Sequence, residues 1–201
     1  MPARLRRTDD ELREQSGHVL WEFRQLMRLA MHIHQRQVGG VVELADPLDA
    51  AALESFCIHA RALVEFLWRD RTHGPRPHKN DAVAGDWFDA RTWEYEPVLP
   101  EEVRDVRRRT GWGVAHISYN RIDPNEMWGW DHVEIAHRIG YRFACFVQNV
   151  PDHRVDPAFK EEATRVNVAL REQWSEADRG IVPEPTQPVG TPAHALTWFS
   201  T

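Results

Sequence analysis

The chain has 201 residues and 23.4 kDa, with 42% apolar, 10% aromatic and 28% charged residues, the profile of one globular domain able to fold without disulfides or structural metals. No window of about 18 uncharged apolar residues exists, Met1-Pro2-Ala3-Arg4 runs into charges without an apolar leader core, and a net charge of −6 removes whole-molecule attraction to nucleic acid. Membrane spanning and standard secretion are thereby excluded from the reading, and Cys57 and Cys145, in apolar runs without zinc-knuckle or redox spacing, read as reduced thiols of a cytoplasmic protein.

Residues 8–38 read as one long helix, because Leu12, Val19, Phe23, Leu26, Met27, Ala30 and Ile33 recur at helical spacing. Thr8 and Glu11 have capping-box spacing at its start, and Gly39-Gly40 stop the pattern. Asp46-Pro47, a cap and a first-turn proline, opens a second helix to about Trp68. Leu53, Phe56, Cys57, Ala60, Leu63, Val64 and Leu67 cover much of its circumference, which makes it the most enclosed helix. Residues 69–80, with two prolines, a glycine and four cations, read as a loop.

A short helical piece over 81–88 and an aromatic connector through Trp93 and Tyr95 come next. Leu99-Pro100-Glu101-Glu102 opens a further helix, its acids placed where the macrodipole favours them. It reaches Arg109, meets Gly111 and Gly113, and resumes as VAHISYNRI, as one helix or two. Asp131 and Glu134 have capping-box spacing before a helix carrying Val133, Ala136, Ile139, Phe143, Phe146, Val147 and Val150, stopped by Pro151. Asp156-Pro157 opens the last helix, to about Glu176, with Val166, Ala169, Leu170 and Trp174 inward. The expected fold is all-α: a single-domain bundle of about five principal helices, mostly up-and-down, over residues 1–178. Residues 179–201 are a Pro-rich extended tail.

The segment RRRTGWGVAHISYNR, residues 107–121, concentrates the chemistry. In a continuous helix Arg109 and His116 share one face, about 10 Å apart along the axis, with Trp112, Tyr119 and Asn120 near the same stripe and Arg121 beside them. A guanidinium, an imidazole, an aromatic plane and hydrogen-bonding groups on one surface suit an RNA phosphodiester. Arginine holds the phosphate, histidine moves the 2′-hydroxyl proton and the ring stacks a base, without a metal or other cofactor. The shared face requires the helix to pass through Gly111 and Gly113, each about 1 kcal/mol worse than alanine there; a break separates the groups. In an apolar Val-Ala-His-Ile setting, His116 reads equally as a core or interface histidine.

The apolar helix with Ala52-Leu53-Glu54 and Ala60-Arg61-Ala62-Leu63, then Asp81-Ala82-Val83-Ala84, then Ala115-His116-Ile117-Ser118-Tyr119, resembles small bacterial helical proteins of the HEPN superfamily over about residues 10–150. That resemblance implies a helical bundle, often a homodimer, and a metal-independent ribonuclease of toxin–antitoxin, phage-defence or RNA-processing type, with an antitoxin protein as a partner. The family signature is an arginine, often followed by a polar residue, and a histidine separated from it by four to six residues. Arg109, Thr110 and His116 match it here, with six residues between Arg109 and His116. The resemblance assigns the catalytic roles to those two, meeting at a dimer cleft, with Trp112, Tyr119, Asn120 and Arg121 supporting or binding substrate.

Other constellations compete. The cations Arg69, Arg71, Arg76 and Lys79, with His73 and His78, could guide a polyanion or simply solvate a loop. Trp128 and Trp130 bracket Gly129 as a core staple or a base platform. Glu134 and His137 have the spacing of one di-iron ligand pair but lack a second, and Glu54 and His59 fall on different helix faces. Nine tryptophans also fit a non-catalytic dimerisation or binding module with a Trp-rich surface.

Overall fold

A computed structural model describes residues 7–39, 47–68, 81–89, 103, 104, 106, 110 and 131–180, of which 38, 170, 171 and 173–180 in backbone alone. Helix α1 (Asp9–Val38) begins at the reciprocal box its sequence predicts. Thr8 Oγ1 accepts from the Glu11 amide at 3.2 Å, and Glu11 Oε2 accepts from the Thr8 amide at 2.8 Å. Helices α2 (Pro47–Trp68), α3 (His132–Asn149) and α4 (Phe159–Gly180) follow, with 3-10 turns at Ala84–Trp87 and Asp152–Arg154. Val103, Arg104 and Val106 are helical as well, within the stretch expected to form the further helix. No strand occurs among the described residues, and the fold is an all-α bundle. No described helix is long and apolar enough to cross a membrane.

The core follows from the helical stripes. On α1, Leu12, Val19, Phe23, Leu26, Met27, Ala30 and Ile33 are all buried, and α1 packs against α2, α3 and α4. Phe23 stacks on Phe143 of α3 with ring centroids 4.0 Å apart. Phe146, nearly one turn further on, is met edge-on by Phe66, Trp87, Phe88 and Phe159 at 5.1 to 6.2 Å. Such pairs contribute about 0.5–1.5 kcal/mol each beyond the area they bury. Gly140 sets how near α3 comes to α1: a Cβ there would lie 3.1 Å from Met27 Cε.

Polar ties then lock the helices in register. Ser16, buried on α1, donates to the Arg13 carbonyl at 2.6 Å and accepts from the Asp156 amide at 3.0 Å, joining α1 to the approach of α4. Arg36 at the end of α1 donates through Nη2 to the buried Asp49 at 2.8 Å, closing the α1–α2 connection. Arg24 pairs with Glu162 between α1 and α4. The buried Arg154 donates Nε to Asp9 at 2.9 Å, Nη1 to the Trp87 carbonyl at 3.0 Å and Nη2 to Asp89 at 2.8 Å.

Three details depart from the sequence expectations. Only half of the second capping box forms. The Asp131 side chain accepts from the Glu134 amide at 2.8 Å, but Glu134 turns to Arg138, at 2.6 Å, because an i,i+4 guanidinium is the stronger partner. Helix α4 continues to Gly180 rather than ending near Glu176. Its inward stripe is Phe159, Ala163 and the half-buried Val166, while Ala169 is exposed.

Replacing Arg154 tests the polar lock. Arg154→Ala leaves the carbonyl of the fully buried Trp87 without its donor, so stability should fall by about 2–4 kcal/mol. Asp89→Asn, on an exposed partner, should cost under about 1 kcal/mol. Urea denaturation should show the larger loss as a lower midpoint with an unchanged slope.

Candidate functional site

Between α1 and α2 lies an open cleft of about 350 Å³. Gln15, His18, Val19 and Glu22 of α1 line one side, Ala62, Leu63 and Phe66 of α2 the other, and Ala82 its end. Positions 15, 18 and 22 follow helical steps of three and four, so one stripe of α1 presents all three polar groups. Beneath them Val19, Leu63 and Phe66 are buried and form an apolar floor.

Glu22 is fixed from across the helix pair. Its Oε2 lies 2.6 Å from Nδ1 of His59, which is buried on α2. A carboxylate oxygen accepts, so Nδ1–H is the donor and the bond fixes the orientation of both side chains. Trp21 closes the other side of His59, edge-on at 5.1 Å. The second oxygen, Oε1, takes no hydrogen bond among the described residues, and neither Gln15 nor His18 makes one. The cleft therefore holds an oriented carboxylate with acceptor capacity to spare, flanked by two donor-capable side chains.

Arg109, Trp112, His116, Tyr119, Asn120 and Arg121 lie outside the described residues, as do the basic loop 69–80 and Trp128 and Trp130. Some of their neighbours in sequence are described. Val103, Val106 and Thr110 are buried, and the Thr110 hydroxyl is 3.5 Å from the Cys57 carbonyl of α2. His132, the first residue of α3, packs edge-on against Phe56 of the same α2 turn at 5.1 Å. Burial lowers the His132 pKa to about 4 against a small opposing pull from Asp131, and its Nε2 has no partner.

The remaining candidates have ordinary roles. Burial, assisted by Glu54, raises the Cys57 thiol to about 12, so it is no nucleophile at neutral pH. Glu134 is engaged by Arg138, and no group of three metal-ligating side chains occurs among the described residues. His59, which local spacing separates from Glu54, finds its carboxylate in Glu22, 37 residues away. A buried histidine on the apolar stripe of α2 was the one sequence signal that a partner was needed.

No family model, no curated protein and no solved structure matches this chain.

His132 gives a pH test. The native ring stays neutral down to about pH 4, whereas the unfolded imidazole protonates near 6.5. The unfolded chain therefore binds more protons between those values, and stability is lost as pH falls through the window, by about 3 kcal/mol at pH 4. His132→Leu should remove that share of the dependence, measured as the difference in urea midpoint between pH 7 and pH 4.

Proposed function

We propose that this bundle is a HEPN-like, metal-independent ribonuclease of toxin or phage-defence type, acting on RNA phosphodiesters through Arg109 and His116. The reading is carried by Thr110. Thr110, the polar residue next to Arg109 in sequence, is buried with its hydroxyl 3.5 Å from the Cys57 carbonyl of α2, and packing on a helix favours precise placement of a neighbouring reacting group. The all-α fold supports the same reading.

In this chemistry the arginine neutralises the phosphoryl oxygens as charge builds on them. The histidine takes the proton of the 2′-hydroxyl, whose oxygen attacks phosphorus, or gives a proton to the departing 5′-oxygen. The products are a 2′,3′-cyclic phosphate and a free 5′-hydroxyl. Trp112 would stack a base, and Tyr119, Asn120 and Arg121 would hold the strand. Within the same proposal the protein works in the cytoplasm as a homodimer whose two Arg–His pairs share one cleft, and an antitoxin partner holds it in check.

One observation favours a second reading, a non-catalytic dimerisation or binding module. Trp21 and Ile58 are 51% and 54% exposed on α1 and α2, an aromatic and a large aliphatic side chain of the kind interfaces use.

Incubation of the purified chain with RNA in excess chelator separates the two. The nuclease reading expects cleavage to 2′,3′-cyclic phosphate ends, lost by at least about 100-fold in Arg109→Ala and His116→Ala. Full activity in either variant overturns the assignment. Absence of cleavage, with a loss of self-association or partner binding in Trp21→Ala, establishes the module instead.

A further inference from the structure

The α1–α2 cleft has features that a purely structural groove does not need. Helix α1 places Gln15, His18 and Glu22 on one stripe over an apolar floor, and among the described residues none of their donor and acceptor sites is taken up except one oxygen of Glu22. That oxygen is used to fix the carboxylate: it meets His59, on which Trp21 packs edge-on. A volume of about 350 Å³ lies at the small end of ligand sites, which run from roughly 300 to 1,000 Å³. It suits a single flat heterocycle with its sugar better than a peptide or a large cofactor.

The polar pattern narrows the heterocycle. A carboxylate has about four lone-pair sites and donates nothing. It therefore selects a ring edge with two neighbouring N–H donors and disfavours an edge that presents an acceptor there. Guanine carries N1–H beside its N2 amino group and a carbonyl at O6. Adenine sets a ring-nitrogen acceptor beside its amino group, and uracil has one N–H between two carbonyls. Gln15 and His18 can both donate toward a carbonyl. Ala62, exposed on the cleft wall, and the half-buried Ala82 add apolar surface for a base face above the buried Val19, Leu63 and Phe66.

We propose that this cleft is a guanine-base subsite in which Glu22, oriented by His59, reads the N1–H and N2–H edge while Gln15 or His18 donates to O6. The choice of a nucleic-acid base over other heterocycles rests on the RNA reading above; the cleft's preference among ring edges does not.

The test is equilibrium binding of the free nucleosides guanosine, inosine and adenosine to the full chain, without RNA. Guanosine should bind tightest. Inosine, which lacks the N2 amino group, should be weaker by about tenfold or more, the loss of one charge-assisted hydrogen bond, and adenosine weaker still. Glu22→Gln, which can still accept from His59, should erase the guanosine preference. Ala62→Phe, at an exposed position on the cleft wall, should block all three nucleosides without disturbing the core.

Equal binding of the three nucleosides, no binding at millimolar concentration, or an undiminished guanosine preference in Glu22→Gln overturns the proposal. The outcome is separable from cleavage. Guanosine binding by a chain that cuts no RNA keeps the subsite and removes the nuclease, and cleavage without guanosine binding does the reverse.

Discussion

Burying the Arg154 guanidinium is the constraint on which the arrangement of the bundle depends. A charge taken out of water is tolerated only when its donors are satisfied, and Arg154 and its three partners come from three places in the chain. Asp9 belongs to the first turn of α1, Trp87 and Asp89 to the 3-10 turn and its exit, and Arg154 itself to the α3–α4 junction. Satisfying one side chain therefore fixes where the 3-10 turn sits. That turn carries Trp87, whose ring meets both Phe66 of α2 and Phe146 of α3. Phe66 in turn forms part of the cleft floor, so a tie remote from the cleft helps to set its shape.

Two buried imidazoles show how differently a helix face can accommodate the same side chain. His59 has a carboxylate at 2.6 Å and serves as a strut, trading its own hydrogen bond for a fixed orientation of Glu22. His132 has no such partner at Nε2 and is held neutral by desolvation. The first arrangement brings a polar group under control at the edge of a cleft. The second makes the α2–α3 contact sensitive to acid, because protonation would place an uncompensated charge against Phe56. Neither is a feature of the helix that carries it; both are set by what the neighbouring helix offers.

That distinction explains what could be read in the sequence. The capping box at Thr8 and Glu11, the buried stripe of α1 and the proline-led start of α2 depend on neighbours within four residues, and spacing rules capture such relations. The exchange of Glu134 from its cap to Arg138 is also local, but two local rules competed there and the charged pair prevailed. Glu22 and His59, by contrast, become neighbours only when α1 lies against α2, and Arg154 with Asp9 spans 145 positions. The cleft is harder still to foresee, since it is a gap between helices rather than a property of any residue. As for Arg109 and His116, their relation hinges on how the backbone passes Gly111 and Gly113, two residues without side chains to favour one path.

Helix α2 joins the cleft to the contacts of Thr110 and His132. The turn at Phe56 and Cys57 receives both His132 and Thr110, the described residues that stand on either side of 111–130 in sequence. Leu63, in the cleft floor, lies seven positions beyond Phe56 and so on nearly the same stripe, about 10 Å along the axis. That separation is too long for one base in the cleft to reach the Phe56 turn as well. Because a helix is stiff over two turns, the offset between the two positions is set by the rise of α2 and not by loop motion.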